Sequence, residues 1–190
     1  LYFICALLWM PRMIGFPELF GVWSGFAEQF CMAAATLLTL VAANAGRGEA
    51  TRAMQCARFM FGLCVLALGM AHFTALEETA RLVPAWLPQG QRFWAMLTGG
   101  AMFLAGLSLM SGVLTVPAAW SMTVLLMSFG IFVWLPRLFI APHKHNTWAG
   151  NAINLAITAA AWMVADVLAR ASPGRRLRTA SSPVSKEPGN

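Results

Sequence analysis

Two stretches, LWMPRMIGF at residues 8–16 and VWLPRLFIA at residues 133–141, carry nearly the same sequence motif. Each places a Trp and an apolar residue before a Pro-Arg pair. When residue n is aligned with residue n + 125 without gaps, six of the seventeen columns that begin at Trp9 are identical. The first-copy residues are Trp9, Pro11, Arg12, Pro17, Trp23 and Gly25, and their counterparts are Trp134, Pro136, Arg137, Pro142, Trp148 and Gly150. This agreement indicates an internal repeat.

The composition around the repeat is that of a membrane protein. Of 190 residues, 59% are hydrophobic and 11% are charged, whereas a soluble domain carries about 25% charged residues. The mean hydropathy is +0.66. Apolar runs close to the ~20 residues that cross a bilayer as a helix predict spans at residues 24–43, 57–73, 93–111, 117–135 and 148–169. A helical stub at residues 1–10 precedes them.

The order of spans gives the repeat its orientation. The stub and the first span correspond to the last two spans. A residue in one copy and its counterpart in the other are separated by four spans. Because four is an even number of crossings, both copies run in the same direction across the membrane. This is a parallel repeat, related by an axis along the membrane normal. The predicted fold is therefore an all-α membrane protein. A four-transmembrane-helix bundle at residues 55–170 is preceded by part of a second, parallel repeat at residues 1–45, whose opening helices we expect to be missing.

The distribution of basic residues predicts the topology. Arg47, Arg52 and Arg58 lie between the first two long spans, and further arginines follow the last span. The positive-inside rule places both regions in the cytoplasm, and the four intervening spans make these two placements consistent. The tail at residues 171–190 is basic and rich in Ser and Pro, so it is predicted to be disordered and to touch anionic lipid rather than nucleic acid.

Two interpretations of the Pro-Arg pairs remain open. In the first, Pro breaks the helix at the interface because it lacks an N–H, and Arg extends to the head groups beside interfacial Trp anchors. In the second, Arg12 and Arg137 lie together at the opening of one pocket, where they bind an anion or a polar head group.

The segment GMAHFTALEETARLVPAWLPQGQRFW, at residues 69–94, carries a family resemblance. Its pattern is G-x-x-H-F, then T-A-x-L-V-P-x-W-L-P, then F-W and a Gly-rich span. This pattern resembles the DoxX and DoxX-like family of small integral membrane proteins, over residues 57–169. The chain departs from the family in its extra half-repeat at residues 1–45, and Arg81 fills the variable position after Ala80.

The resemblance implies a four-helix membrane bundle, and we expect it in the bacterial cytoplasmic (inner) membrane. The positive-inside rule places its C-terminus in the cytoplasm. Some family members resemble membrane subunits of quinone-linked sulfur oxidation or terminal oxidase systems, and others associate with antioxidant or thiol-redox partners. For this chain it implies an accessory or subunit of a membrane redox system, with a soluble or membrane redox partner. The oligomeric state stays open.

A candidate polar pocket follows from the predicted depths of the ionisable residues. Such residues at membrane depth face the bundle interior or water, because exposure to lipid is costly. Quinone head groups accept hydrogen bonds, which His and Arg donate, so a quinone is the candidate ligand. The residues predicted to line or rim this pocket are His72, Arg137, Arg12, Glu28, Trp86 and Trp94.

Other chemistry finds little support in the sequence. The four cysteines include no C-x-x-C spacing, so no thiol pair and no disulfide is predicted. Phosphate-loop, nucleophile-elbow and zinc-protease motifs are absent, and His72 alone among the histidines lies on a predicted span, so neither a metal nor a haem site is predicted. A stand-alone enzyme is therefore not indicated. The alternatives are a non-enzymatic membrane scaffold or chaperone and, less favoured, a small transporter built on the repeat.

Overall fold

The computed structural model describes residues 2–16, 20–44 and 50–171, and this part of the chain contains helices and no strand. The helices are α1 (Tyr2–Gly15), α2 (Phe20–Asn44), α3 (Ala50–Thr74), α4 (Leu76–Ala80), α5 (Gln91–Ser111), α6 (Thr115–Phe129), α7 (Leu135–Ile140) and α8 (His145–Ala171). A π-helical turn at Gly130–Trp134 joins α6 to α7. Residues 172–190, nearly all of the predicted disordered tail, lie outside the described residues.

Five helical segments among the described residues are long and apolar enough to cross a membrane. They are Gly21–Asn44, Arg52–Thr74, Gln91–Ser111, Thr115–Ile140 and His145–Ala171. The prediction of an all-α membrane bundle is confirmed, and the protein is a multi-pass membrane protein whose surroundings are the lipid bilayer. The fourth span is longer than predicted because α6, the π-helical turn and α7 form one continuous segment.

The spans pack as a bundle around small side chains. The most extensive contact joins α3 to α5, and α2 packs against both α3 and α8. Helices α6 and α8 pair with each other, and α5 contacts α6. Fully buried alanines such as Ala34, Ala57, Ala119 and Ala161 line these contacts. Small residues let helix backbones approach closely, which is how helices associate where lipid removes the hydrophobic driving force.

Glycines produce the close approach of α3 and α5. A Cβ at Gly69 would stand 2.6 Å from the backbone nitrogen of Phe103, and one at Gly106 would stand 2.6 Å from that of Leu66. Gly62 and Gly69 on α3, like Gly99 and Gly106 on α5, are seven residues apart, so each pair lies on one face of its helix. This contact fixes the position of His72, near the end of α3.

The prediction that Pro breaks the helix in each Pro-Arg pair is wrong. Helix α1 continues past Pro11 to Gly15, and α7 continues past Pro136 to Ile140. The amide of Phe16 donates to the carbonyl of Arg12, as that of Ala141 does to Arg137, both at 2.9 Å. Before Pro136, the wide π-helical turn relieves the clash of the Pro ring with the preceding turn.

The arginines of the two copies make the same local contact. The guanidinium of Arg12 lies 5.6 Å from the ring centroid of Trp9, and that of Arg137 lies 5.2 Å from the ring centroid of Trp134. Both distances are those of a cation–π interaction. Each arginine therefore has a partner three residues before it in the chain.

A short irregular segment covers one end of the bundle between α3 and α5. Helix α4 ends at Ala80, and the chain then turns through residues 81–90. The indole of Trp94 donates to the carbonyl of Pro88 at 2.7 Å, and Arg92 pairs with Glu77 at 2.5 Å. These bonds attach the segment to the start of α5, directly beside the end of α3.

Candidate functional site

A cavity of about 290 Å³ lies inside the bundle at the end covered by α4. Helices α2, α3, α6 and α8 contribute most of its wall, and α4 and α5 contribute single residues. Most lining residues are apolar. Its polar side chains are those of Ser24, Glu28, His72, Thr79 and Asn154.

Glu28 lies about two turns into α2, within a membrane-spanning segment. Among the described residues, none forms a hydrogen bond or ion pair with its carboxyl, which faces the cavity. A carboxyl at this depth is costly unless it meets a ligand, a proton or water. This side chain is therefore the clearest sign that the cavity holds something polar.

His72 contributes the second ionisable group of the cavity. Its Nδ1 donates to the backbone carbonyl of Leu68 at 2.9 Å, since a carbonyl can only accept. In a neutral ring this leaves Nε2 as a hydrogen-bond acceptor. The ring stacks on Phe129 at 6.2 Å between centroids, and a Cβ on Gly99 would collide with the Cβ of His72. Close packing thus fixes the imidazole in place.

Thr79 closes the cavity at the end covered by α4, and its hydroxyl proton is already used in hydrogen bonds within the protein. Its hydroxyl bonds within the turn, to the carbonyls of Ala75 and Leu76 at 3.1 Å each, and reaches the carbonyl of His72 at 3.4 Å. The side chain is buried. These bonds hold α4 over the end of α3 and so define the cavity's roof.

Two asparagines of α8 hold the π-helical turn that forms another wall. Asn154 donates to the carbonyl of Leu126 at 3.2 Å, and Asn151 donates to the carbonyl of Trp134 at 2.9 Å. Amide side chains in membrane bundles satisfy carbonyls that irregular backbone frees. Gly130 makes room for this, because a Cβ there would stand 2.8 Å from Nδ2 of Asn154.

A second, smaller cavity of about 60 Å³ adjoins the first. Both are lined by His72, Thr79, Phe129 and Trp134. The imidazole therefore stands between two spaces.

An apolar groove of about 780 Å³ runs between α2 and α3 on the other side of the same wall. Ser24 and Ala71 line both the groove and the polar cavity. Leu63 and Met70 on the groove's wall are 46% and 41% exposed, so the groove faces the surroundings of the bundle, which are lipid. The groove is therefore apolar, lipid-facing and adjacent to the cavity.

The structure brings together two of the six predicted pocket residues, Glu28 and His72. The other four are not among the described residues that line the cavity. Arg12 and Arg137 stack on their own tryptophans. Trp86 is 69% exposed and contacts Phe132 edge-on, and the indole of Trp94 donates to the carbonyl of Pro88.

Sequence reasoning missed Asn154, which lines the cavity from α8. Its side chain donates to the carbonyl of Leu126, so it also holds the irregular turn of the fourth span. The one available signal was a polar amide in the middle of a predicted apolar span, since such a group faces the interior of a membrane bundle. Cys31 and Cys64 are both buried in the core.

No family model, no curated protein and no solved structure matches this chain. Its membrane character rests on the five apolar helices. The features of the molecule that bear on a finer function are the cavity, the groove and the side chains that face them.

Proposed function

We propose that this protein is an accessory or subunit of a membrane redox system and that its cavity receives a quinone head group. The observation that carries the proposal is that Glu28 and His72, on two different spans, line one cavity at membrane depth. Intramembrane ionisable residues mark functional sites by default. Here two of them meet in a space beside a lipid-facing groove.

The cavity's chemistry suits the quinone and quinol forms of one ligand. A quinol hydroxyl donates hydrogen bonds, and Nε2 of neutral His72 and an ionised Glu28 both accept them. A quinone carbonyl accepts, so it pairs with the same groups once they hold protons. The two side chains can thus exchange the two protons that accompany quinone reduction. The volume of about 290 Å³ lies near the lower end for small-molecule sites.

The route of entry also favours a lipid-soluble ligand. The apolar groove between α2 and α3 shares Ser24 and Ala71 with the cavity. A quinone carries a long hydrocarbon tail, which this groove accommodates while the head group enters between the helices. A water-soluble substrate would have no use for such a groove.

The resemblance to the DoxX family adds to the proposal. Its pattern of Gly69, His72, Phe73, Pro84 and Trp86 lies in the segment that ends α3 and covers the cavity. On this proposal the protein acts with a soluble or membrane redox partner in the bacterial cytoplasmic membrane. The basic residues of the α2–α3 loop and the tail favour a cytoplasmic C-terminus.

Quinone binding tests this function directly. The full chain is purified in nanodiscs, bound lipids are extracted and quinones are quantified by mass spectrometry. We expect a near-stoichiometric quinone in the wild type and its loss in Glu28→Gln and His72→Gln. Added decylubiquinone should raise the melting temperature of the wild type, because a ligand of the folded state stabilises it.

Matched controls are available on exposed residues. Glu78→Gln on α4 and His145→Gln at the start of α8 remove the same functional groups far from the cavity lining, so both should retain quinone. Bulk phospholipid alone in the wild type, with no shift in melting temperature, would contradict the proposal.

A scaffold or chaperone is the second candidate, favoured by the surface of the fourth span. The segment Thr115–Ile140 buries 11% of its most apolar stretch, against 33% or more for the other four spans. Trp120, Val124 and Met127 are exposed along it. Under this alternative the extracted lipid contains no quinone, and Val124→Trp impairs assembly with a partner while His72→Gln does not.

A further inference from the structure

The helices of the two repeat copies begin and end at aligned positions. Helices α1 and α7 end at Gly15 and Ile140, and α2 and α8 begin at Phe20 and His145. The members of each pair are 125 residues apart, which is the offset of the repeat. The ungapped alignment therefore extends into the long helix of each copy, and a residue of α2 and its counterpart in α8 lie on the same side of their helices.

One face of α2 packs against α3. Ala27 and Phe30 line the groove between these two helices, opposite Cys64 and Ala67. Three- and four-residue intervals continue this face along α2 as a single stripe. The stripe consists of Ala27, Cys31, Ala34 and Leu38. All four side chains are buried in the core of the bundle.

The counterpart stripe on α8 is exposed along its whole length. It consists of Ala152, Ala156, Ala159 and Met163. Met163 is 41% exposed, whereas its counterpart Leu38 is 0% exposed. Other sides of α8 pack against α2 and α6. Within residues 2–16, 20–44 and 50–171, therefore, α8 has no neighbour in the position that α3 occupies beside α2.

The composition of the α8 stripe is that of a helix-to-helix contact. Three of its four residues are alanines, and none is charged. Small side chains mark contacts between membrane helices, because they let the two backbones approach closely. The exposed surface of α5, by contrast, carries mainly large side chains such as Met96, Leu97 and Leu104. Lipid tails gain nothing from a row of alanines, whereas a second helix does.

We propose that the exposed stripe of α8 is the docking site of a membrane-spanning helix of the α3 type, which a partner membrane protein supplies. The same positions of the repeat are covered by α3 in the first copy. The inference rests on the repeat and on the contrast in burial between α2 and α8. It does not depend on the quinone site of the proposed function.

Helix α3 indicates the chemistry of the partner helix. Towards α2 it presents Cys64, Ala67 and Ala71, which are small, uncharged and spaced three and four residues apart. The stripe lies within the span His145–Ala171, so the partner segment is itself an apolar span with small residues at these intervals. Consecutive spans such as α2 and α3 cross the membrane in opposite directions. The partner helix therefore runs antiparallel to α8.

A second copy of this chain does not meet these requirements. Its α3 already packs its small-residue face against its own α2, so that face is not free to cover another helix. Two copies inserted with the same topology would bring their α8 helices together in parallel, whereas α2 and α3 are antiparallel. The occupant is therefore a different polypeptide.

Photo-crosslinking to a synthetic helix tests the docking site. The probe is a dye-labelled peptide with the sequence of residues 50–74, which form α3, added to nanodiscs that hold one full chain each. Benzoylphenylalanine replaces Leu155, beside the stripe, or Leu104 on α5, and these positions are 67% and 66% exposed. We expect the peptide to crosslink at position 155 and not at position 104. A peptide with the same residues in scrambled order should crosslink at neither.

A substitution within the stripe gives a second measurement. Ala159→Trp places a large ring where the partner helix should approach, and it should weaken peptide binding by about tenfold or more, because close helix contact needs small residues. Position 159 is exposed in the chain, so the melting temperature should not change. Leu104→Trp is the matched control and should leave peptide binding as in the wild type.

Three results would overturn the inference. The first is equal crosslinking, or none, at positions 155 and 104, which would mean that the stripe faces lipid. The second is equal binding of the scrambled peptide. The third, in nanodiscs that hold two chains, is a crosslink from position 155 to the other chain that excess peptide does not suppress, which would identify a second copy as the occupant. A protein that binds the peptide but no quinone would refute the proposed function alone.

Discussion

The indole ring of Trp134 occupies the space where a side chain of Gly150 would stand, so that the end of the fourth span is locked against the start of the fifth. The ring of Trp9 stands in the same relation to Gly25 in the first copy. Both pairs belong to the aligned columns of the repeat. The repeat therefore conserves a helix-to-helix contact and not merely a preference for interfacial residues.

Replacing Gly150 by Ala should destabilise the protein. The added methyl overlaps the ring of Trp134, and overpacking of this kind costs about 1–3 kcal/mol. The free energy of unfolding, measured in mixed micelles by tryptophan fluorescence, should fall by that amount. Gly21→Ala is the control, because its Cβ meets nothing within 4 Å. Equal effects of the two substitutions would show that Trp134 simply moves aside.

Because α3 packs closely against α5 at Gly106, a substitution there should destabilise the protein more than one at Gly100 on the same helix. A Cβ on Gly106 stands within 2.8 Å of three atoms of Leu66, two of them backbone, whereas one on Gly100 meets nothing within 4 Å. We expect Gly106→Ala to lower the melting temperature in nanodiscs by several degrees and Gly100→Ala to leave it unchanged. Comparable melting temperatures would mean that the two helices separate at little cost.

Loss of the Asn154 amide should loosen the π-helical turn. Asn154→Ala leaves the carbonyl of Leu126 without its donor from α8, and such interhelical bonds in membranes contribute about 0.6 kcal/mol on average. Hydrogen exchange at residues 126–134 should accelerate in this variant. Asn146→Ala, at an exposed position, should leave exchange there unchanged, and acceleration in both variants would argue against a specific role of Asn154.

Labelling from each side of the membrane tests the predicted topology. In a cysteine-free background, single cysteines at Gln89 and His143 should react with an impermeant maleimide added outside intact cells, because both turns lie at the same end of the bundle. A cysteine at Arg52 should react only after the membrane is permeabilised. External labelling at Arg52 would reverse the assigned orientation.

Much of the membrane architecture could be read from individual residues. Apolar runs located all five spans, with every start and end within five residues of the observed one. Asp166 pairs with Arg170 at 2.8 Å, which is a contact that their spacing of four residues on a helix favours. The sequence did not predict that the helix continues past Pro136. The π-helical turn that accommodates this proline depends on amide side chains from α8.

The sequence likewise predicted some residues of the candidate site and selected others that do not line it. Hydropathy and chain order placed Glu28 and His72 at similar depth near one end of the bundle, because both lie on spans and a lipid-exposed charge is costly. The same reasoning also selected Arg12 and Arg137. Depth alone cannot tell a side chain that faces the bundle interior from one that stacks on its own neighbour, which is what both arginines do.

The sequence by itself determined that this chain is a helical, multi-pass membrane protein with a repeated Trp-x-Pro-Arg element, because length, apolarity and local spacing are properties of single segments. Only the tertiary structure decided that Glu28 of α2 shares a cavity with His72 of α3 and Asn154 of α8. Those relations depend on the rotation of each helix about its own axis. That rotation is set by the glycine and alanine contacts between helices, which no single segment encodes.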